Sequence, residues 1–143
     1  MSQDNVELIR AMWPHEIDVV ELVADSESRA GLAAGLAPDA EVAFIANAPG
    51  VPDLRYRGAE GLTEGWRDWL EPYESYRLEI EDAIDAGDDE VLVRVRVSAR
   101  TRRDGVLIEH APAAICTVKA RQIVRVRFYL DRDQALEAAR LRE

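Results

Sequence analysis

Apolar residues change spacing twice along this chain, and each change marks a change of element. After Asp4, followed three residues on by Glu7 as in a capping box, Val6, Ile9 and Trp13 keep helical spacing until Pro14 ends the first predicted helix. Ile17, Val20, Leu22 and Val23 predict a second short helix. The Ala- and Leu-rich stretch 30–37 predicts a third, although Gly31 and Gly35 weaken it. Residues 40–46 read as a strand, 47–53 as a Pro/Gly loop, and Leu54–Arg57 as a short strand stopped by Gly58. Helical spacing returns over 59–71, where Leu62, Trp66, Trp69 and Leu70 share one face and Pro72 stops the helix. Alternation with a period of two then predicts four strands, at 75–85, 90–102, 106–118 and 122–130. Gly87-Asp88, Asp104-Gly105 and Ala120-Arg121 are their expected turns. Asp131 caps a last helix through residue 141, with Gln134 at the box position.

Register turns the strands into faces. With Gly87-Asp88 as a two-residue turn, Glu81 faces Arg94 and Glu79 faces Arg96; with Asp104-Gly105 as the next, Arg100 faces Glu109. The opposite face carries Leu78, Ile80, Ile84, Val91, Val93, Val95 and Val97, continuing into His110, Pro112, Ala114 and Cys116. Such a face needs helices over it. The expected fold class is α+β, an antiparallel sheet covered on one side by helices.

Composition narrows the function. The 143 residues, 48% hydrophobic and 32% charged, fit one globular domain spanning 1–143. A net charge of −10 argues against a nucleic-acid partner. One cysteine, Cys116, and two histidines, His15 and His110, predict no metal site. The N-terminal residues do not read as a signal peptide and no apolar run is long enough to span a membrane, so no membrane partner and a cytoplasmic location are expected. The charge is uneven, −16 over residues 1–90 and +6 over 91–143, and the cross-strand pairs account for much of that.

The order of elements, with the wording Tyr56-Arg57-Gly58-Ala59-Glu60-Gly61-Leu62, Trp66-Arg67-Asp68-Trp69-Leu70, Ile84-Asp85-Ala86-Gly87-Asp88 and Phe128-Tyr129-Leu130-Asp131-Arg132, resembles SnoaL-like domains of the nuclear transport factor 2-like superfamily, with residues 14–38 matching least. The resemblance implies a cone-shaped fold, in which helices cover the concave face of a curved sheet and leave an apolar pocket. It also implies a homodimer through the outer sheet face. Polyketide cyclases of this type carry a His/Asp acid–base pair in the pocket. Here the last strand, Arg125-Val126-Arg127-Phe128-Tyr129, has no acid at the usual place, and Ala114 and Cys116 stand where many relatives have larger residues.

Three residues are candidates for catalysis. His110 titrates near neutral pH and suits general acid–base work, or else is a core or rim histidine. Tyr129 lies diagonal to His110 if Ala120-Arg121 is a tight turn and can polarise a carbonyl, or else packs on the last helix. Asp82 shares parity with Ile80 and Ile84, as a general base or as the mark of a bulge. Candidate ligand-binding residues are Trp13, Tyr56, Trp66, Trp69, Ala114 and Arg127. Arg127 faces inward on the tight-turn register, whereas a bulge would turn Val124, Val126, Phe128 and Leu130 inward and Arg127 out. The expected activity is a cofactor-independent isomerase, cyclase or hydrolase on an apolar carbonyl or epoxide. The alternative is a noncatalytic binder of a small hydrophobic molecule. An acid beside His110 favours the enzyme, and a wholly apolar lining favours the binder.

Overall fold

The structure is a computed structural model that describes residues 2–33, 35–46 and 53–139. Helix α1 spans Ser2–Met12, strand β1 Glu16–Asp18, helices α2 and α3 Val19–Ala24 and Ser26–Ala33. Strands β2 (Leu36–Ile45) and β3 (Leu54–Arg57) precede helix α4 (Gly58–Leu70). Then come β4 (Tyr73–Gly87), β5 (Glu90–Thr101), β6 (Leu107–His110), β7 (Ala113–Lys119), β8 (Gln122–Tyr129) and helix α5 (Arg132–Ala138). The expected end of the last helix at 141 and most of the expected loop 47–53 lie outside the described residues.

The strands form one curved, open sheet in the order β1-β4-β5-β7-β8-β2-β3, with β6 beside β5. The α+β class therefore holds. Several details differ from the sequence reading: β1 was not expected, the helix expected at 30–37 is α3 at Ser26–Ala33, and Leu36 and Ala37 belong to β2. Strand β2 runs parallel to β8, so the sheet is mixed at that contact. The third long strand is broken at Ala111-Pro112 into β6 and β7, because proline has no N–H to give the ladder. The Pro112 carbonyl still accepts from the Val95 N–H at 3.1 Å, which keeps both pieces alongside β5.

Two hairpins fix which side chains face inward. The tight turn after β4 is Asp88-Asp89, one residue later than expected, with both residues at positive φ. An irregularity at Ala86 then leaves Asp82, not Glu81, opposite Arg94, and a bulge at Glu81 restores Glu79 opposite Arg96. Arg96 nevertheless reaches the bulged Glu81, at 2.8 Å. Farther along β5, Ser98 rather than Arg100 stands opposite Glu109. The turn between β7 and β8 is Ala120-Arg121, also with both residues at positive φ. Lys119 pairs with Gln122 and Val118 with Ile123, after which Thr117 pairs with Arg125, leaving Val124 as the extra residue.

The inner face is apolar throughout. Val91, Val93, Val95 and Val97 of β5, with Ala114 and Cys116 of β7, belong to a core that also takes in buried residues of α1, α2 and α4. Phe44, Trp66, Trp69 and Phe128 form an aromatic cluster in that core, with ring centroids 5.1–5.9 Å apart. The outer face carries a smaller core, in which Ala135 and Leu136 of α5 join Leu92, Ala113, Ile115 and Tyr129. Helices thus cover the inner face, and one short helix packs on the outer face as well.

Candidate functional site

A cavity of about 280 Å³ lies between the inner sheet face and the helices. Leu78, Val95, Ala114, Val126 and Phe128 form its sheet wall, each on a different strand or position of the inner face. Leu62 and Trp66, one turn apart on α4, and Val19 of α2 face the sheet. Met12, Trp13, Pro14 and Ile17, where α1 hands over to β1, close one end with Leu22 and Gly31. Every lining side chain among the described residues is apolar or aromatic, and none titrates. Their only side-chain hydrogen-bonding groups are the indole N–H of Trp13 and of Trp66.

Local sequence explains this wall. The bulge at Val124 places Val126 and Phe128 in register with Cys116 and Ala114, both inner-face residues. Small Ala114 opposite large Phe128 then leaves space rather than filling it. On α4, Gly61 and Gly65 let the helix sit close to β2 and β3. A Cβ at Gly65 would stand 2.5 Å from the Phe44 ring. That approach sets the depth at which Trp66 meets Phe44 and Phe128.

The candidate residues separate into four places. Trp13, Trp66 and Ala114 line the cavity. Tyr56 and Trp69 pack against the same core without lining it. The Trp69 indole donates to the Tyr76 hydroxyl at 3.1 Å, and the Tyr56 hydroxyl donates to Asp68 at 2.6 Å. Burial, with that bond to Asp68, pushes the Tyr56 phenol up to about 12. Tyr76 is fully buried, and burial pushes its phenol up further.

Asp82, Arg127 and Tyr129 lie on the outer face, contrary to the inward placement drawn from simple alternation. The Glu81 bulge turns Asp82 out, where the Arg94 guanidinium donates to it at 2.9 Å and holds its carboxyl below the usual range. The Val124 bulge turns Arg127 and Tyr129 out. Arg127 pairs there with Glu90 at 2.8 Å and donates to the Tyr129 hydroxyl at 3.2 Å. Tyr129 packs under α5, 39 positions along the chain from its neighbour's partner Glu90 but on the same sheet face.

His110 stands opposite Val97 on β5, hence on the inner face, but beyond the residues that line the cavity. No described acid bonds to it. Its Nδ1 is buried without a hydrogen-bond partner, and burial lowers its pKa, favouring the neutral ring. The other histidine, His15, is exposed on the edge near Glu79.

Most of the lining was not among the sequence candidates. Val126 and Phe128 carried a signal, since their run is more hydrophobic than the alternate set. Pro14, Ile17, Leu22 and Gly31 were legible only as parts or ends of short predicted helices, with no signal that they meet at a cavity. No group of three or more potential metal ligands clusters among the described residues. Nor is any described helix long and apolar enough to cross a membrane.

Comparison with known proteins agrees with this architecture. A putative SnoaL-like polyketide cyclase from Jannaschia sp. CCS1 superposes with a TM-score of 0.69 at 16% identity, covering 96% of this chain and 91% of that one. A nuclear transport factor 2-like protein from Burkholderia xenovorans LB400 gives 0.62 at 20% identity, covering 97% of each chain. TerC, co-crystallised with polyporic acid, gives 0.63 at 18% identity, covering 95% of this chain and 98% of that one. At these identities the likeness is one of fold. A comparison with curated proteins finds none that matches in sequence. The family model for the SnoaL-like domain matches residues 9–126, most of the sheet and both sides of the cavity, and the chain belongs to that family.

Proposed function

We propose that this protein binds a neutral, apolar small molecule in the cavity between sheet and helices, and that it does so without transforming it. The observation that carries the reading is the lining, whose fourteen described residues have no titratable side chain. Acid–base catalysis needs a proton donor or acceptor within hydrogen-bond reach of the reacting atoms. An apolar lining also leaves developing charge uncompensated, which costs more in a low-dielectric site than in water. The same lining recognises hydrocarbon surface through burial, at ~25 cal/mol per Å².

Volume sets the size of the ligand. An apolar cavity of ~150 Å³ accommodates benzene, with its six carbons. Scaling to about 280 Å³ gives a ligand of about eleven heavy atoms, roughly a fused bicycle. TerC, of the same fold, was co-crystallised with a small molecule, polyporic acid, which supports a small-molecule role for this chain.

Naphthalene, a neutral ten-carbon probe, tests the reading by titration against the tryptophan emission of Trp13 and Trp66. Saturable binding of one naphthalene per chain is expected. Naphthalene-2-sulfonate should bind far more weakly, because the cavity offers its charge no partner. The reading fails if naphthalene shows no saturable effect up to its solubility limit, or if the sulfonate binds as well.

A further inference from the structure

The lining divides sharply by exposure. The sheet wall and the α4 residues are buried, whereas Pro14 and Gly31 are exposed and Met12, Trp13, Ile17 and Leu22 are half-buried. The mouth of the cavity therefore lies between the α1–β1 turn and α3. Among the described residues, Gly31 is the one from α3 on its rim.

Gly31 also lacks the usual reasons for a glycine. Gly58, Gly87 and Gly105 have positive φ, which side chains resist. Gly35, Gly61 and Gly65 each have a neighbour at 3.0 Å or less from where a Cβ would stand. At Gly31 a Cβ would meet nothing within 4 Å, and its φ is not positive. Glycine inside a helix loses stability relative to alanine through backbone entropy, so a residue that the fold does not require stands at a cost. A helix projects each Cβ outward from its axis. Gly31 both lines the cavity and is exposed, so a side chain added there occupies open space where the cavity meets solvent.

Resting on the binding reading above, we infer that the missing side chain at Gly31 keeps the mouth of the cavity open, making residue 31 the position that controls ligand access. A bulky residue there narrows the passage between α3 and the α1–β1 turn and leaves the deep wall of Val95, Ala114, Val126 and Phe128 untouched. It changes how fast a ligand enters and leaves more than how tightly it is held.

Stopped-flow exchange of naphthalene with Gly31→Leu tests this. Association and dissociation rates are both expected to fall at least tenfold, with the dissociation constant within threefold of the parent. Gly31→Ala should give a smaller slowing, of twofold or more, and melt no lower than the parent. Ala30→Leu, at an exposed position on the same helix, should leave both rates unchanged. A folded Gly31→Leu that exchanges naphthalene within twofold of the parent overturns the inference. If Gly31→Leu does not fold, Gly31→Ala decides it by the same rates. If the parent does not bind naphthalene, the binding reading fails, and access is read separately by acrylamide quenching of Trp66 in a Trp13→Phe, Trp69→Phe background. There Gly31→Leu should lower the quenching constant at least twofold, and an unchanged constant sinks the access claim.

Discussion

Ala114→Leu puts the size of the cavity to a direct test. Ala114 is 4% exposed, stands opposite Phe128 and Val93, and forms part of the sheet wall. The substitution adds three carbons that point into the cavity. On the benzene benchmark each carbon occupies ~25 Å³, so about 75 Å³ is lost. Of the original 280 Å³ some 205 Å³ then remains, room for about eight carbons. Benzene still fits and naphthalene does not. Forcing two surplus carbons into a packed site costs ~1–3 kcal/mol. At 1.4 kcal/mol per factor of ten, naphthalene should bind roughly 5- to 150-fold more weakly, with benzene within about threefold. Stability should change little, because burying three carbons gains ~0.8 kcal/mol each and repacking strain offsets most of it. Isothermal titration with both hydrocarbons, alongside urea unfolding, reads all three quantities. Equal weakening of both ligands, or undiminished naphthalene binding by a folded variant, would refute the volume argument.

Two further predictions concern residues outside the cavity. His110 is kept neutral by burial, so its pKa in the folded chain lies below the unfolded value of ~6.5. The unfolded chain then binds a proton before the folded one does, and stability should fall as pH drops from about 6.5 through the lower folded pKa. His110→Gln should flatten that part of the urea-stability profile while leaving naphthalene affinity unchanged, and an identical slope in both proteins would contradict the burial. On the outer face, Glu90→Gln leaves Arg127, whose side chain is 16% exposed, without its counter-ion. A loss of ~1–3 kcal/mol in urea unfolding is expected, again with naphthalene affinity within twofold, and weakened binding would mean that the two faces communicate.

How much of this was legible depends on where alternation is broken. The core strands and helix α4 follow from periods of two and 3.6, because burial selects residues by face. Single-residue insertions defeat the extrapolation, and two of them leave a trace. Glu81-Asp82 puts two acids in succession where alternation allows one, and Ile123-Val124 does the same with two apolar residues. A bulge absorbs one member of each pair, after which the alternation resumes on the other parity. The mouth of the cavity was not legible, because Pro14, Ile17, Leu22 and Gly31 come from a turn, a strand and two short helices that only tertiary packing brings together. The parallel β2–β8 contact was hidden for a related reason, since it joins segments about eighty residues apart.

The bulges also explain why the chemistry left the cavity. Without the one at Val124, Arg127 would stand on the inner face opposite Ala114, with no acid among the lining residues described there. An unpaired charge in such a place costs several kcal/mol even after relaxation. With the bulge, the same guanidinium meets Glu90 on the outer face, and Val126 and Phe128 take the inner positions. Asp82 makes the equivalent exchange at Glu81, giving up an apolar face for Arg94. In both strands the price of one unpaired ladder residue is small beside that of a stranded charge. The register that satisfies the charges is therefore the register that leaves an apolar cavity. An acid or a base held inward on either strand would have to bear the same penalty.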